Sequence, residues 1–98
     1  CSYGDDKGIF GYGNDGSDVS LTNLISNVGV ASTDVTGVGT ARTYLAACEY
    51  GSDKGIFGYG NLGGGVSMTN LVTNVGVVGT DVTGVGTARS GPAACSYN

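Results

Sequence analysis

A 47-residue internal repeat, an apolar set dominated by Val with abundant Thr, and 20 glycines predict an all-β chain. It is expected to form tandem four-stranded antiparallel blades, arranged as a β-propeller-like or stacked repeat assembly. The stretch Asp6-Lys7-Gly8-Ile9-Phe10-Gly11-Tyr12-Gly13-Asn14 returns unchanged as Asp53 to Asn61. At that offset 34 of 47 positions are identical, so the chain is one unit written twice: repeat 1 over 1–47, repeat 2 over 48–94, and the start of a third over 95–98. Periods of this length mark solenoids, propellers or arrays, whose units bury an apolar face only against a neighbour. Side chains branched at Cβ favour extended backbone. Each glycine inside regular structure costs roughly 0.5–1 kcal/mol relative to Ala, so most belong in turns or where backbones approach closely.

Taken in order, Cys1 to Gly4 reads as the tail of a strand, because the equivalent Cys48 is preceded by Arg42-Thr43-Tyr44-Leu45-Ala46-Ala47. Asp5-Asp6 makes a polar turn. Lys7 to Gly13 is a strand with Phe10 and Tyr12 on one face, its glycines suggesting a close neighbour. Asn14-Asp15-Gly16-Ser17-Asp18 is a turn, matched by the most divergent segment of the second copy, Asn61-Leu62-Gly63-Gly64-Gly65. Val19 to Asn27 is the next extended run, and Asp34 to Thr40 alternates Val with small residues before Ala41-Arg42. The count is about four short strands per repeat, with no helical stripe.

Composition narrows function by exclusion. The chain has no His and a net charge of −4, with four basic residues in all. The commonest general base and metal ligand is therefore missing, and the three cysteines lack an imidazole to activate them. No enzyme, cofactor or metal site is expected; the oxygen-rich Asn14–Asp18 turn lacks the spacing of a calcium loop. Without a basic cluster, nucleic acid is not an expected partner. No apolar run approaches the ~18 residues of a membrane span, so membrane insertion is not expected. The chain begins at Cys1 rather than Met, and reads as a processed product or a window from a longer polypeptide.

The recurring charges and aromatics supply the candidate site residues. Asp34, Arg42, Asp81 and Arg89 give each unit one carboxylate and one arginine, expected to form a structural ion pair between strands. Cys1, Cys48 and Cys95 share one repeat position; they read as small buried fillers, with an intermolecular disulfide through Cys1 or Cys95 as the sharper alternative. Tyr3, Tyr12, Tyr44, Tyr50, Tyr59 and Tyr97 are the candidates for a sugar-stacking surface; Tyr12 and Tyr59, which recur strictly, read either as core rings with a polar tip or as part of that surface.

Read from the arginine, each unit runs through an Ala-rich strand to Cys48-Glu49-Tyr50-Gly51, a turn, Asp53-Lys54-Gly55-Ile56-Phe57-Gly58-Tyr59-Gly60, then Ser67-Met68-Thr69-Asn70-Leu71 and a long return to Arg89. This resembles a kelch-like β-propeller blade. The resemblance implies an array of blades, and two cannot close a ring for which about four to eight are typical. The expected partner is the chain itself, as a homo-oligomer or filament, or further repeats of a longer chain. The expected function is a non-enzymatic structural or scaffold module, extracellular or on a virion surface, self-assembling through β edges. The alternative is a carbohydrate-binding lectin that forms an oligomeric β-propeller.

Overall fold

The structure is a computed structural model that describes residues 1–97. Asn98, the last residue of the expected third-repeat start, lies outside the described residues. Six strands form two antiparallel three-stranded sheets. The first joins β1 (Ser2–Tyr3), β2 (Lys7–Asn14) and β3 (Asp18–Ile25) in that order, the second β4 (Ala46–Tyr50), β5 (Lys54–Gly58) and β6 (Thr69–Val72). Registers match across the repeat: Phe10 faces Asn23 as Phe57 faces Asn70, and Gly11 faces Thr22 as Gly58 faces Thr69. The all-β expectation stands. Strand β4 begins in repeat 1, so Ala46 and Ala47 of one unit pair with Gly58 and Phe57 of the next.

The sheets have three strands where four were expected. The returning run does lie beside β3 and β6, but touches them only at isolated bridges, Thr22 to Val35 and Ile25 to Ala31, then Thr69 to Val82 and Val72 to Val78. A side chain interrupts each ladder. Asn23 Nδ2 donates to the Ser32 carbonyl at 3.2 Å and to Asp34 Oδ1 at 2.8 Å; Asn70 Nδ2 donates to the Gly79 carbonyl at 3.2 Å and to Asp81 Oδ1 at 2.9 Å. The amide takes over the pairing that a backbone N–H would supply in a full strand.

The core lies between the sheets and is drawn from them unequally. Repeat 1 buries Tyr3, Ile9 and Tyr12, and repeat 2 buries Phe57, Val72 and Val78. Their repeat equivalents are less buried or exposed: Tyr50, Ile56 and Tyr59, then Phe10, Ile25 and Ala31. Phe57 is 3 % exposed and Phe10 70 %, though the residues around them are identical in sequence. One face of the unit therefore meets the opposite face of the next, which is the definition of a heterologous contact. Burying a Phe in this way is worth about 1.5–3 kcal/mol.

Gly11 and Gly58 report the same asymmetry. A methyl group at Gly11 would lie 2.8 Å from Phe57 Cζ and 2.9 Å from Thr22 Cγ2, whereas at Gly58 the nearest neighbour would be Thr69 Cγ2 at 3.3 Å. Gly11→Ala should accordingly lower stability by roughly 1–3 kcal/mol through overpacking, and Gly58→Ala by about 0.5 kcal/mol or less. Urea unfolding of both variants in dilute solution checks this; equal losses would contradict a one-sided junction.

Candidate functional site

The junction of the two repeats is organised by a bulge and an arginine. The β2–β3 register shifts between Gly11 and Gly13 because Tyr12 adopts φ of 64°, and Tyr59 does the same at 62°. A bulky residue in the left-handed region is an outlier that needs compensation. Here the Tyr12 hydroxyl donates to the Val38 carbonyl at 2.8 Å, and its ring meets Phe57 at 5.2 Å between centroids, tilted by 60°. Such a pair adds about 0.5–1.5 kcal/mol beyond area burial.

Arg42 stacks on the other side of this arrangement, its Cζ 4.7 Å from the Tyr12 ring centroid, and is fully buried. Its backbone belongs to repeat 1, where Gly13 N donates to the Arg42 carbonyl at 3.1 Å. Its side chain enters repeat 2. Nε donates to the Tyr59 carbonyl at 2.8 Å, Nη2 to Asn70 Oδ1 at 2.7 Å, and Nη1 to its own neighbour's Thr40 carbonyl at 2.9 Å. Asp81 completes the site by accepting from Thr40 N and from the Thr40 hydroxyl across the junction. No described side-chain polar atom in the interior is left without a partner. A buried guanidinium is tolerable when its donors are met in this way.

The expected ion pairs take another form. Among the described residues the ion pairs are Lys7–Asp6 at 2.9 Å and Lys54–Asp53 at 3.1 Å, between chain neighbours. Arg42 and Asp81 are linked through Asn70, which accepts from the guanidinium and donates to the carboxylate. Asp34 accepts from Asn23 in the same way, but the arginine of that set is missing, since Arg42 has gone to repeat 2. Arg89 lies exposed with Cζ 4.3 Å over the Tyr59 ring, Nη1 donating to the Thr87 carbonyl at 3.0 Å. The physical reason is reach: the arginine ends its own unit and points onward, so its partners are in the next one.

The remaining candidates fall outside this cluster. Cys1 and Cys48 are half-buried and Cys95 is exposed, all as free thiols. Tyr12 is buried, and Tyr59 is half-buried with its hydroxyl donating to the Val85 carbonyl at 3.0 Å. In the Asn14–Asp18 turn, Asn14 Nδ2 donates to Asp18 Oδ1 and Gly16 N to Asn14 Oδ1, so the oxygens satisfy the loop itself. Asn70 and Phe57 were not singled out by sequence. The available signal was an amide recurring in mid-strand between Thr and Leu, where a polar side chain needs a partner.

Two groups in the cluster have displaced ionisation. Burial pushes the Tyr12 phenol up, against the pull of Arg42. The Thr40 hydroxyl bonded to Asp81 holds that carboxyl below its ordinary value, with Asn70 adding to the effect and partial burial opposing it. The folded state thus binds the Asp81 proton less readily than the unfolded chain. Its contribution is complete above the unfolded value, near 3.9, and disappears as pH falls through the lower folded value. The stability gap between the wild type and Asp81→Asn, followed by urea unfolding against pH, should be widest near neutrality and narrow as pH falls below the unfolded carboxylate value. A gap that widened on acidification would contradict this assignment.

Arg42→Ala leaves Asn70 Oδ1 and the Tyr59 carbonyl unpaired, at about 1–3 kcal/mol each, and should destabilise the chain by roughly 2–5 kcal/mol in urea unfolding. Arg89→Ala removes an exposed side chain and should stay within about 0.5 kcal/mol. Equal effects would mean that the two arginines are not in different environments.

Comparison with protein-family models, with curated proteins and with solved structures returns no match, so the site is read from its geometry alone.

Proposed function

We propose that this chain is a non-enzymatic structural repeat module that self-assembles through its β edges into a larger extracellular or virion-surface assembly, a filament or a kelch-like propeller. The observation that supports this reading is the one-sided junction: each repeat carries both halves of a contact, and one half on each outer face is unused. Edges that expose apolar and hydrogen-bonding groups are ready templates for pairing. Phe10 and Val85, 70 % and 81 % exposed, mark the two outer faces. No helix among the described residues is long and apolar enough to cross a membrane.

The lectin alternative has less support. Of the candidate stacking rings, Tyr12 and Tyr59 each already have a guanidinium over them and a hydroxyl bonded to a backbone carbonyl, and Tyr3 is buried, which leaves the exposed Tyr44, Tyr50 and Tyr97 as the rings a sugar would have to use.

Electron microscopy and native mass measurement over a concentration series test the proposal. Growth from a 9.7 kDa species into rings or fibres is expected, together with a glycan array at background. A monomer at every concentration, or specific glycan binding by a monomer, would contradict it.

A further inference from the structure

We propose that a second copy of this chain docks head to tail, with Arg89 of one copy entering the site formed by Asn23, Asp34 and the Tyr12 carbonyl of the other. This rests on the self-assembly reading above and specifies its interface. Within the chain, Arg42 makes the same entry at Asn70, Asp81 and the Tyr59 carbonyl, so the proposed contact continues an interface already present.

Both halves are preformed. On the receiving side, Asn23 grips Ser32 and Asp34 with bonds of 3.2 and 2.8 Å, against 3.2 and 2.9 Å for Asn70 with Gly79 and Asp81. Asn23 Oδ1 has no donor among the described residues, whereas Asn70 Oδ1 takes Arg42 Nη2. On the entering side, Arg89 repeats the posture of Arg42. It stacks on Tyr59 as Arg42 does on Tyr12, its Nη1 donates to Thr87 as that of Arg42 does to Thr40, and its carbonyl accepts from Gly60 N at 3.1 Å as that of Arg42 does from Gly13 N. A side chain held in its bound posture loses little entropy on docking.

The surrounding surfaces fit the same partner. In the internal junction Phe57 packs on Gly11 and Tyr12; between copies, the exposed Phe10 would pack on Gly58 and Tyr59. Thr87 would donate to Asp34 as Thr40 does to Asp81. The sheet edge is also incomplete. Strand β4 pairs Ala46 and Ala47 with Gly58 and Phe57, but on the β1 side the pairing runs from Lys7 and Gly8 only as far as Ile9, which exchanges hydrogen bonds with Cys1, leaving Gly11 and Phe10 open. Ala93 and Ala94 of the entering copy carry the sequence that fills this gap, and Cys95–Tyr97, which duplicate the position of Cys1–Tyr3, would remain outside the ladder. A two-fold symmetric dimer would instead bring two Arg89 faces or two Asn23 faces together, pairing like with like.

Sedimentation velocity on the wild type, Arg89→Ala, Phe10→Ser and an equimolar mixture of the two variants tests the proposal. Both substituted side chains are exposed in the single chain, so the fold is expected to survive, checked by far-ultraviolet circular dichroism. The wild type should grow past the dimer with concentration and each variant alone should stay monomeric. The mixture should form a 1:1 dimer and stop, because one intact entering face and one intact receiving face remain. Variants that assemble as the wild type does would overturn this interface while leaving self-assembly standing. A mixture that stays monomeric or grows beyond the dimer would also overturn it. A wild type that is monomeric at every concentration would overturn both.

Discussion

A guanidinium taken out of water dictates the organisation of this chain. Arg42 is buried completely, and a charge so placed is tolerated only where hydrogen bonds replace its hydration. Its three nitrogens find two backbone carbonyls and one side-chain amide oxygen, and the planar fork of arginine suits that spread of acceptors where a lysine ammonium would not. Asn70 is the hinge of the arrangement, because its amide must accept from Arg42 and donate to Gly79 and Asp81 at once. Turning it over would set donor against donor. The same amide breaks the outer ladder into isolated bridges, so the junction chemistry and the three-stranded form of the sheet have one cause.

Repetition turns this single contact into a rule for assembly. An arginine that ends one unit and is satisfied in the next leaves Arg89 without such a site within these residues, and leaves Asn23 without the arginine that Asn70 receives. Phe10 and Phe57 show the consequence most plainly: the same residue in the same local sequence is solvent-exposed in one repeat and core in the other. Stability in such arrays is a sum of unit and nearest-neighbour terms. Most of the buried apolar set here belongs to the neighbour term, since Tyr3, Ile9 and Tyr12 meet Phe57, Val72 and Val78 across the junction.

The repeat and the extended backbone are legible because they depend on residue identity at fixed spacing, whereas strand β4 runs from Ala46 to Tyr50 across the division at 47 and 48. Glycines inside the Lys7–Gly13 strand correctly signalled a close neighbour, which is Phe57 against Gly11. The fourth strand was overcounted because alternation of Val with small residues does not reveal that Asn23 and Asn70 capture the run with their side chains. The ion pairs were misdrawn for a related reason. Charge sign and recurrence suggested that Asp34 and Arg42 belong together, but Arg42 crosses into the next unit, and an amide stands between each arginine position and its carboxylate. Tyr12 offered no hint of its left-handed backbone, which makes the bulge between Gly11 and Gly13.

The sequence holds two arginines, so their Nε protons form a built-in comparison. Hydrogen exchange of these two protons, followed by NMR at a concentration where the chain is monomeric, bears on the junction without altering a residue. Arg42 Nε–H, bonded to the Tyr59 carbonyl and buried, should exchange far more slowly than Arg89 Nε–H, which is open to water. Equal, fast exchange at both would mean that Arg42 is not locked into the second repeat, and the one-sided junction would have to be abandoned.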